Sequence, residues 1–184
     1  MDENYLTAND LDTIEKWITQ VEDMHDKQMK FHRNDALKIF KLPYKLIGLG
    51  RSRFVYDLKN GYVLKIAFSF KGIKDNKSEA LLYNSALPAV KKHLAAVVHH
   101  GHGWCIMVKV NESYNNKNVD LVYKLQDELL GVGINPKDLT NKRNNEPRWK
   151  NFRIDPEGHI VVIDYANFKK IKSFPLSPTP PDRI

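Results

Sequence analysis

Apolar and polar positions along this chain follow more than one rhythm. From Thr7 to about Phe31 the apolar residues Leu11, Ile14, Trp17, Ile18, Val21 and Met24 recur three and four apart, the period of a helix with one buried stripe. Thr7 stands where an N-cap is expected, with Asp10 near the positive end of that helix. A shorter helix is expected from Asn34 to Lys41, with Pro43 as its stop. Between Tyr44 and Ala67 the pattern changes to short apolar runs, Leu46–Leu49, Phe54–Leu58 and Tyr62–Ala67, separated by Gly50-Arg51-Ser52 and Lys59-Asn60-Gly61. Asn-Gly between apolar runs signals a hairpin, because both residues accept positive φ. Three antiparallel strands in a meander follow. On the third, Tyr62, Leu64 and Ile66 face one side while Val63, Lys65 and Ala67 face the other. A lysine on a core face calls for an anionic neighbour.

Further along, Phe70–Asn76 reads as a polar loop and Lys77–Leu87 as a helix closed by Pro88, since proline cannot continue a helix. A strand is expected within Lys91–Val98, then a histidine-rich turn from His99 to Gly103, then a buried strand, Trp104–Val110. Asn111–Asn118 reads as a polar linker. Val119–Leu130 has helical spacing and ends at Gly131 and Gly133. Ile134–Lys150 shows no clean period. Two short strands, Asn151–Ile154 and His159–Ile163, flank the turn Asp155-Pro156-Glu157-Gly158. Ser173–Ile184 carries four prolines and is expected to be extended or disordered.

Composition narrows the classes. The 184 residues suit one ordinary domain, or one domain with an appended segment, and 42% apolar with 28% charged residues is a globular composition. No run is long enough to cross a bilayer, and the acidic, polar start is unlike a signal peptide. A single cysteine, Cys105, cannot form an internal disulfide and fits a reducing cytoplasm. The net charge of +7 favours acidic partners such as nucleotides or nucleic acid, and Lys137–Lys150 is locally basic. Nucleic-acid binding rests on charge alone, because no basic strand is rich in aromatics. His99, His100 and His102 match no usual zinc spacing.

Four features, in chain order, point to nucleotide phosphate chemistry. Gly48-Leu49-Gly50 is a bend at which backbone N–H groups can approach a polyphosphate. Lys65 is a cation fixed on a strand. Glu79, on the next helix, is placed to pair with it. Asp164 follows an apolar strand, where a carboxylate suits Mg2+.

Together these residues resemble the protein-kinase-like superfamily, from Tyr44 to Phe168. Gly48 to Val55 resembles the glycine-rich loop, with Arg53 in place of its third glycine. Val63-Leu64-Lys65-Ile66 resembles the strand of the phosphate-binding lysine, and Glu79 its helical partner. Met107-Val108-Lys109-Val110 falls at the family's adenine hinge. Ile163-Asp164-Tyr165-Ala166 resembles the metal-binding Asp-Phe-Gly without its glycine, and Asp138-Leu139 resembles the loop of the catalytic base without its usual His-Arg approach.

The resemblance implies an α+β, kinase-like fold: an antiparallel N-lobe sheet with a C-helix, a strongly reduced C-lobe and an N-terminal helical segment. The implied division is 1–43 helical segment, 44–110 N-lobe, 111–172 reduced C-lobe and 173–184 tail. It implies ATP and Mg2+ as cofactors. Gly48, Gly50, Ser52, Val55, Lys65 and Val108 would contact the nucleotide, Asn151 and Asp164 the metal, and Asp138 the acceptor. Asn144 and Asn145 compete with Asn151 for the second ligand. The implied activity is a phosphotransferase acting on a protein Ser/Thr or another hydroxyl. The alternative is a pseudokinase, a nucleotide-binding or protein-interaction module. Twenty residues follow Asp164, too few for an activation segment and the distal helices.

Overall fold

The computed structural model describes residues 5–114, 118–141 and 143–171. Helices α1 (Ala8–Asp26) and α2 (Arg33–Ile39) come first. Thr7 closes α1 with a capping box: its hydroxyl accepts the Asp10 N–H, and the Asp10 carboxylate accepts the Thr7 N–H at 3.0 Å. The buried Asp10 also accepts from the Tyr44 hydroxyl at 2.6 Å, tying the helix start to the first strand. Burial and that bond push the Tyr44 phenol up to about 12. Thr7→Ala is expected to cost about 1 kcal/mol, read as a lower urea midpoint; an unchanged midpoint would show that the cap contributes nothing.

The meander follows as β1 (Lys45–Leu49), β2 (Arg53–Asp57) and β3 (Tyr62–Ala67), then α3 (Phe70–Ser85), α4 (Pro88–Lys91), β4 (Val97–Gly101) and β5 (Trp104–Val108). These strands form one antiparallel sheet in the order β1-β2-β3-β5-β4. Beyond it lie β6 (Glu112–Ser113), α5 (Val119–Gly131), β7 (Ile134–Asn135), a 3-10 turn at Trp149–Asn151, β8 (Phe152–Ile154), β9 (Ile160–Val162) and β10 (Lys169–Lys170). β6, β8 and β9 form a small second sheet, and β10 pairs with β7. Ala95 N–H donates to Val162 O at 3.0 Å and Val162 N–H to His93 O at 2.9 Å, joining β9 to the segment before β4.

Both faces of the large sheet are covered, and the period of two along its strands sorts the residues between them. Leu64, Ile66 and Ile106 join Ile14, Trp17, Phe40 and Phe54 in a core under α1 and α2. Cys105 and Met107 join Ala80, Val122, Leu129, Phe152 and Val162 in the opposite core. Lys65, in register with Val55 and Cys105, falls on this second face.

Four local expectations are corrected. Phe70–Asn76 is the first part of α3, not a loop: Ser69 caps the helix by accepting the Gly72 N–H at 3.2 Å. Gly72 is there for space, not as a breaker, since a Cβ on it would lie 2.2 Å from the Ser52 carbonyl oxygen. Strand β4 begins only at Val97 and contains His99 and His100, expected as turn residues, because pairing with β5 outweighs their weak strand preference. The turn itself comes at His102-Gly103, with Gly103 at φ +79°. In the β2–β3 hairpin the positive φ values belong to Lys59 and Gly61, with Asn60 outside that region. Glu112 and Ser113, in the expected linker, pair with Ile154 and Arg153. The proline-rich tail lies outside the described residues. Among the described residues no helix is long and apolar enough to cross a membrane.

Candidate functional site

The second face of the sheet, where it meets α3 and the segment after β9, gathers charges that the packing alone does not need. Glu79 projects from α3 and is wholly buried, at 0% exposure. Lys65 reaches it from β3, with Nζ at 3.1 Å from Oε1 and 2.9 Å from Oε2. Arg53 reaches it from the start of β2, with Nη1 at 2.6 Å from Oε2 and Nη2 at 3.4 Å from Oε1. One carboxylate is thus held by two cations.

The segment after β9 docks on the same carboxylate. Tyr165 N–H donates to Glu79 Oε1 at 3.1 Å, and Lys65 Nζ donates to Ile163 O at 2.8 Å. Asp164 lies between these anchors, half exposed, and its Oδ1 accepts from Arg53 Nη2 at 2.7 Å. Arg53 also donates to Asn76 Oδ1 at 3.0 Å. Two cations and two carboxylates therefore balance; Arg53, Lys65 and Glu79 are buried and Asp164 is half exposed, so an unpaired member of the buried three would be costly.

The electrostatics follow from burial and pairing. Burial alone would raise the Glu79 carboxyl, but the charges and hydrogen bonds of Arg53 and Lys65 outweigh it and hold it down at about 2. For Arg53, burial opposes the charge, yet Glu79 and Asp164 leave it above its usual value. Burial, with Glu79 close by, pushes the Cys105 thiol up to about 12. That agrees with a small inert core residue.

A second cluster forms around Asp138, at φ +76°. Its Oδ2 accepts from Asn167 Nδ2, and its Oδ1 faces Arg148 at 3.2 Å. The buried Asn151 donates from Nδ2 to Asp138 O at 3.3 Å, while its own carbonyl accepts the Ile163 N–H at 2.9 Å. Asn151 is thereby placed one residue from Asp164 across the backbone, and its side-chain oxygen has no hydrogen-bond partner among the described residues. Asn144 and Glu146 bond each other at 2.7 Å in an exposed loop, and Asn145 has positive φ there.

In the bend before β2, the Gly50 N–H donates to Arg53 O at 2.9 Å, inside the hairpin. The buried Ser52 donates its hydroxyl to Asp75 Oδ2 at 2.9 Å, so that side chain is engaged within the protein. Gly48 faces Val55, where a Cβ would lie 3.1 Å from the Val55 Cβ. At the other edge the Val108 N–H donates to Ala96 O at 2.8 Å.

The structure thus brings Lys65, Glu79 and Asp164 together, and Asp138 together with Asn151. Arg53, Asn76 and Asn167 are members that the sequence reading missed. Asn76 was legible in principle, because it lies three residues before Glu79 and shares its helix face once Phe70–Asn76 is taken as helical. Arg53 was visible only as a departure from the glycine pattern, which did not indicate its partners, and Asn167 carried no comparable local signal.

Among solved structures, the chain is similar to the bifunctional kinase-methyltransferase WbdD, with 18% sequence identity and a TM-score of 0.51 over 68% of this chain and 32% of that one. A second WbdD structure, a co-crystal with a kinase inhibitor, gives 19% identity and a TM-score of 0.49 over 72% of this chain and 34% of that one. The match spans about a third of the WbdD chain. No family model and no curated protein matches the sequence. The likeness is one of fold: an α+β, kinase-like architecture.

Proposed function

We propose that this protein is an ATP- and Mg2+-dependent phosphotransferase of the kinase-like class. The observation that carries the proposal is the buried Lys65–Glu79 pair, bonded through Ile163 O and the Tyr165 N–H to the segment that presents Asp164. Phosphoryl transfer depends on positioning and charge neutralisation, and kinase-like sites need both the lysine–glutamate pair and the metal-binding aspartate in place. On this proposal, residues 44–110 form the nucleotide lobe with α3 as its C-helix, 111–172 a reduced second lobe, and 1–43 a helical buttress.

Each side chain has a distinct task. Glu79 fixes the Lys65 ammonium, which then meets the nucleotide phosphates. The bend at Gly48, Gly50 and Ser52 covers those phosphates with its backbone, and the side chains of Val55 and Val108 flank the base. Asp164 and Asn151 offer oxygen donors, a hard set that fits Mg2+. When bound, Mg2+ neutralises phosphate charge. Asp138 orients a hydroxyl acceptor, on a protein Ser/Thr or a small molecule. Arg143, Arg148 and Lys150 suit an anionic acceptor; Lys142 lies outside the described residues. A reducing compartment such as the cytoplasm suits the buried free Cys105.

A second reading, a nucleotide-binding module without transfer, is favoured by one specific arrangement. Asp138 is engaged by Asn167 and Arg148, and Asp164 by Arg53. Two measurements separate the readings. ATP with Mg2+ is expected to raise Tm, because a ligand that binds only the native state stabilises it. Lys65→Ala and Asp164→Asn are each expected to abolish ATP turnover while far-UV circular dichroism stays native. Unchanged turnover in both variants rejects the phosphotransferase, and binding without turnover in the wild type selects the module.

A further inference from the structure

We propose that Arg53 is a built-in cation of the nucleotide site, so that Asp164 recruits one divalent ion with the nucleotide where kinase-like sites hold two. This rests on the phosphotransferase reading above and concerns how that site is charged.

Kinase-like sites hold two Mg2+ ions through an aspartate and an asparagine. Here Oδ1 of Asp164 already accepts from Arg53 Nη2 at 2.7 Å, leaving Oδ2 on a carboxylate that is half exposed. Oδ2 faces no fixed cation among the described residues, whereas an ion bound through Oδ1 would share that oxygen with the guanidinium.

The guanidinium is permanent in charge and position. Arginine does not lose its proton in proteins. Its Nη1 is held by Glu79 at 2.6 Å and Asn76 at 3.0 Å, and its side chain is only 9% exposed. Moving it aside would break those bonds in a buried setting. Lys65 does not take its place on Asp164, since the lysine ammonium is bonded to Glu79 and Ile163 O. A second divalent ion beside this fixed charge would be repelled at close range.

Arg53 also stands at the start of β2, opposite Ala67, where the resemblance places a third glycine. A glycine there would leave both Asp164 oxygens unclaimed by the strand. The substitution therefore exchanges a mobile ion for a covalently attached one.

The test counts ions. Mn2+ is titrated onto the full chain with a saturating non-hydrolysable ATP analogue, and bound Mn2+ is obtained from the electron paramagnetic resonance signal of the free ion, after subtracting an analogue-only blank. The wild type is expected to bind one Mn2+ per protein. Arg53→Met keeps the apolar stem, removes the charge and is expected to bind two, a twofold rise that loss of packing alone would not produce. Arg53→Gln replaces it should the methionine variant fail to fold. Two ions on the wild type, or one on both proteins, overturn the proposal while the phosphotransferase reading stands. No analogue binding by the wild type at any Mn2+ concentration removes both.

Discussion

Glu79→Ala is expected to lower stability by about 3–5 kcal/mol, because it leaves two buried cations without the carboxylate they share. For a chain of this length that corresponds to a fall in Tm on the order of 10 °C. Glu79 binds Arg53, Lys65 and the Tyr165 N–H at once, so the loss also removes one of the bonds that hold the segment carrying Asp164. A variant less than about 1 kcal/mol weaker than wild type in urea would refute this account. The pH dependence supplies an independent check. The folded carboxyl is held at about 2, below its ordinary value of 4.5, so its contribution is present above the unfolded value. That contribution is lost as pH falls from about 4.5 towards 2, and its size is roughly 3 kcal/mol. Wild type minus Glu79→Ala stability should therefore be flat near neutrality and shrink through that acid window. A difference that grows on acidification would contradict the pairing.

Gly72→Val is expected to be as damaging for a steric reason. A Cβ at this position would sit 2.2 Å from the Ser52 carbonyl oxygen and 3.0 Å from the Ala67 Cβ. The Ser52 oxygen also accepts the Phe68 N–H at 2.9 Å, which holds it in place. Neither neighbour is the tip of a flexible chain. Helix α3 must back away from β2 and β3, at a cost of about 3 kcal/mol or more. Asn76 and Glu79 lie one and two turns further along the same helix, so their contacts to Arg53 loosen together. The variant is expected to lose stability in urea and any nucleotide-induced rise in Tm. A near-native urea midpoint would show that the helix has room the glycine does not use.

The two substitutions probe one junction, and that junction is where sequence and structure part. The apolar stripe of α1 from Ile14 to Val21, with Leu11 left exposed, and its Thr7 cap were legible because both are local: spacing of three and four, and a capping residue beside an acid three positions on. The alternation of β3 likewise put Lys65 on the side opposite Leu64 and Ile66. Helix α3 was cut short in the sequence reading because glycine is read as punctuation, whereas Gly72 serves a contact with Ser52, twenty residues earlier. His99 and His100 read as a turn because their strand identity comes from pairing with Ile106 and Cys105.

Within the candidate site the same division holds. Residue type and order singled out Lys65, Glu79 and Asp164 as one cation and two carboxylates worth bringing together. Only the folded chain shows that Arg53 reaches Glu79 across 26 positions and Asp164 across 111, turning a departure from a glycine pattern into the hub of a neutral cluster. By itself, the sequence determined α1 with its cap, the three-stranded meander and the chemical inventory of the site, through periodicity, capping and residue type. The tertiary structure alone decided which charges meet, because burial removes water as a partner and each buried ion must then be matched by whichever counter-ion the packing brings within reach.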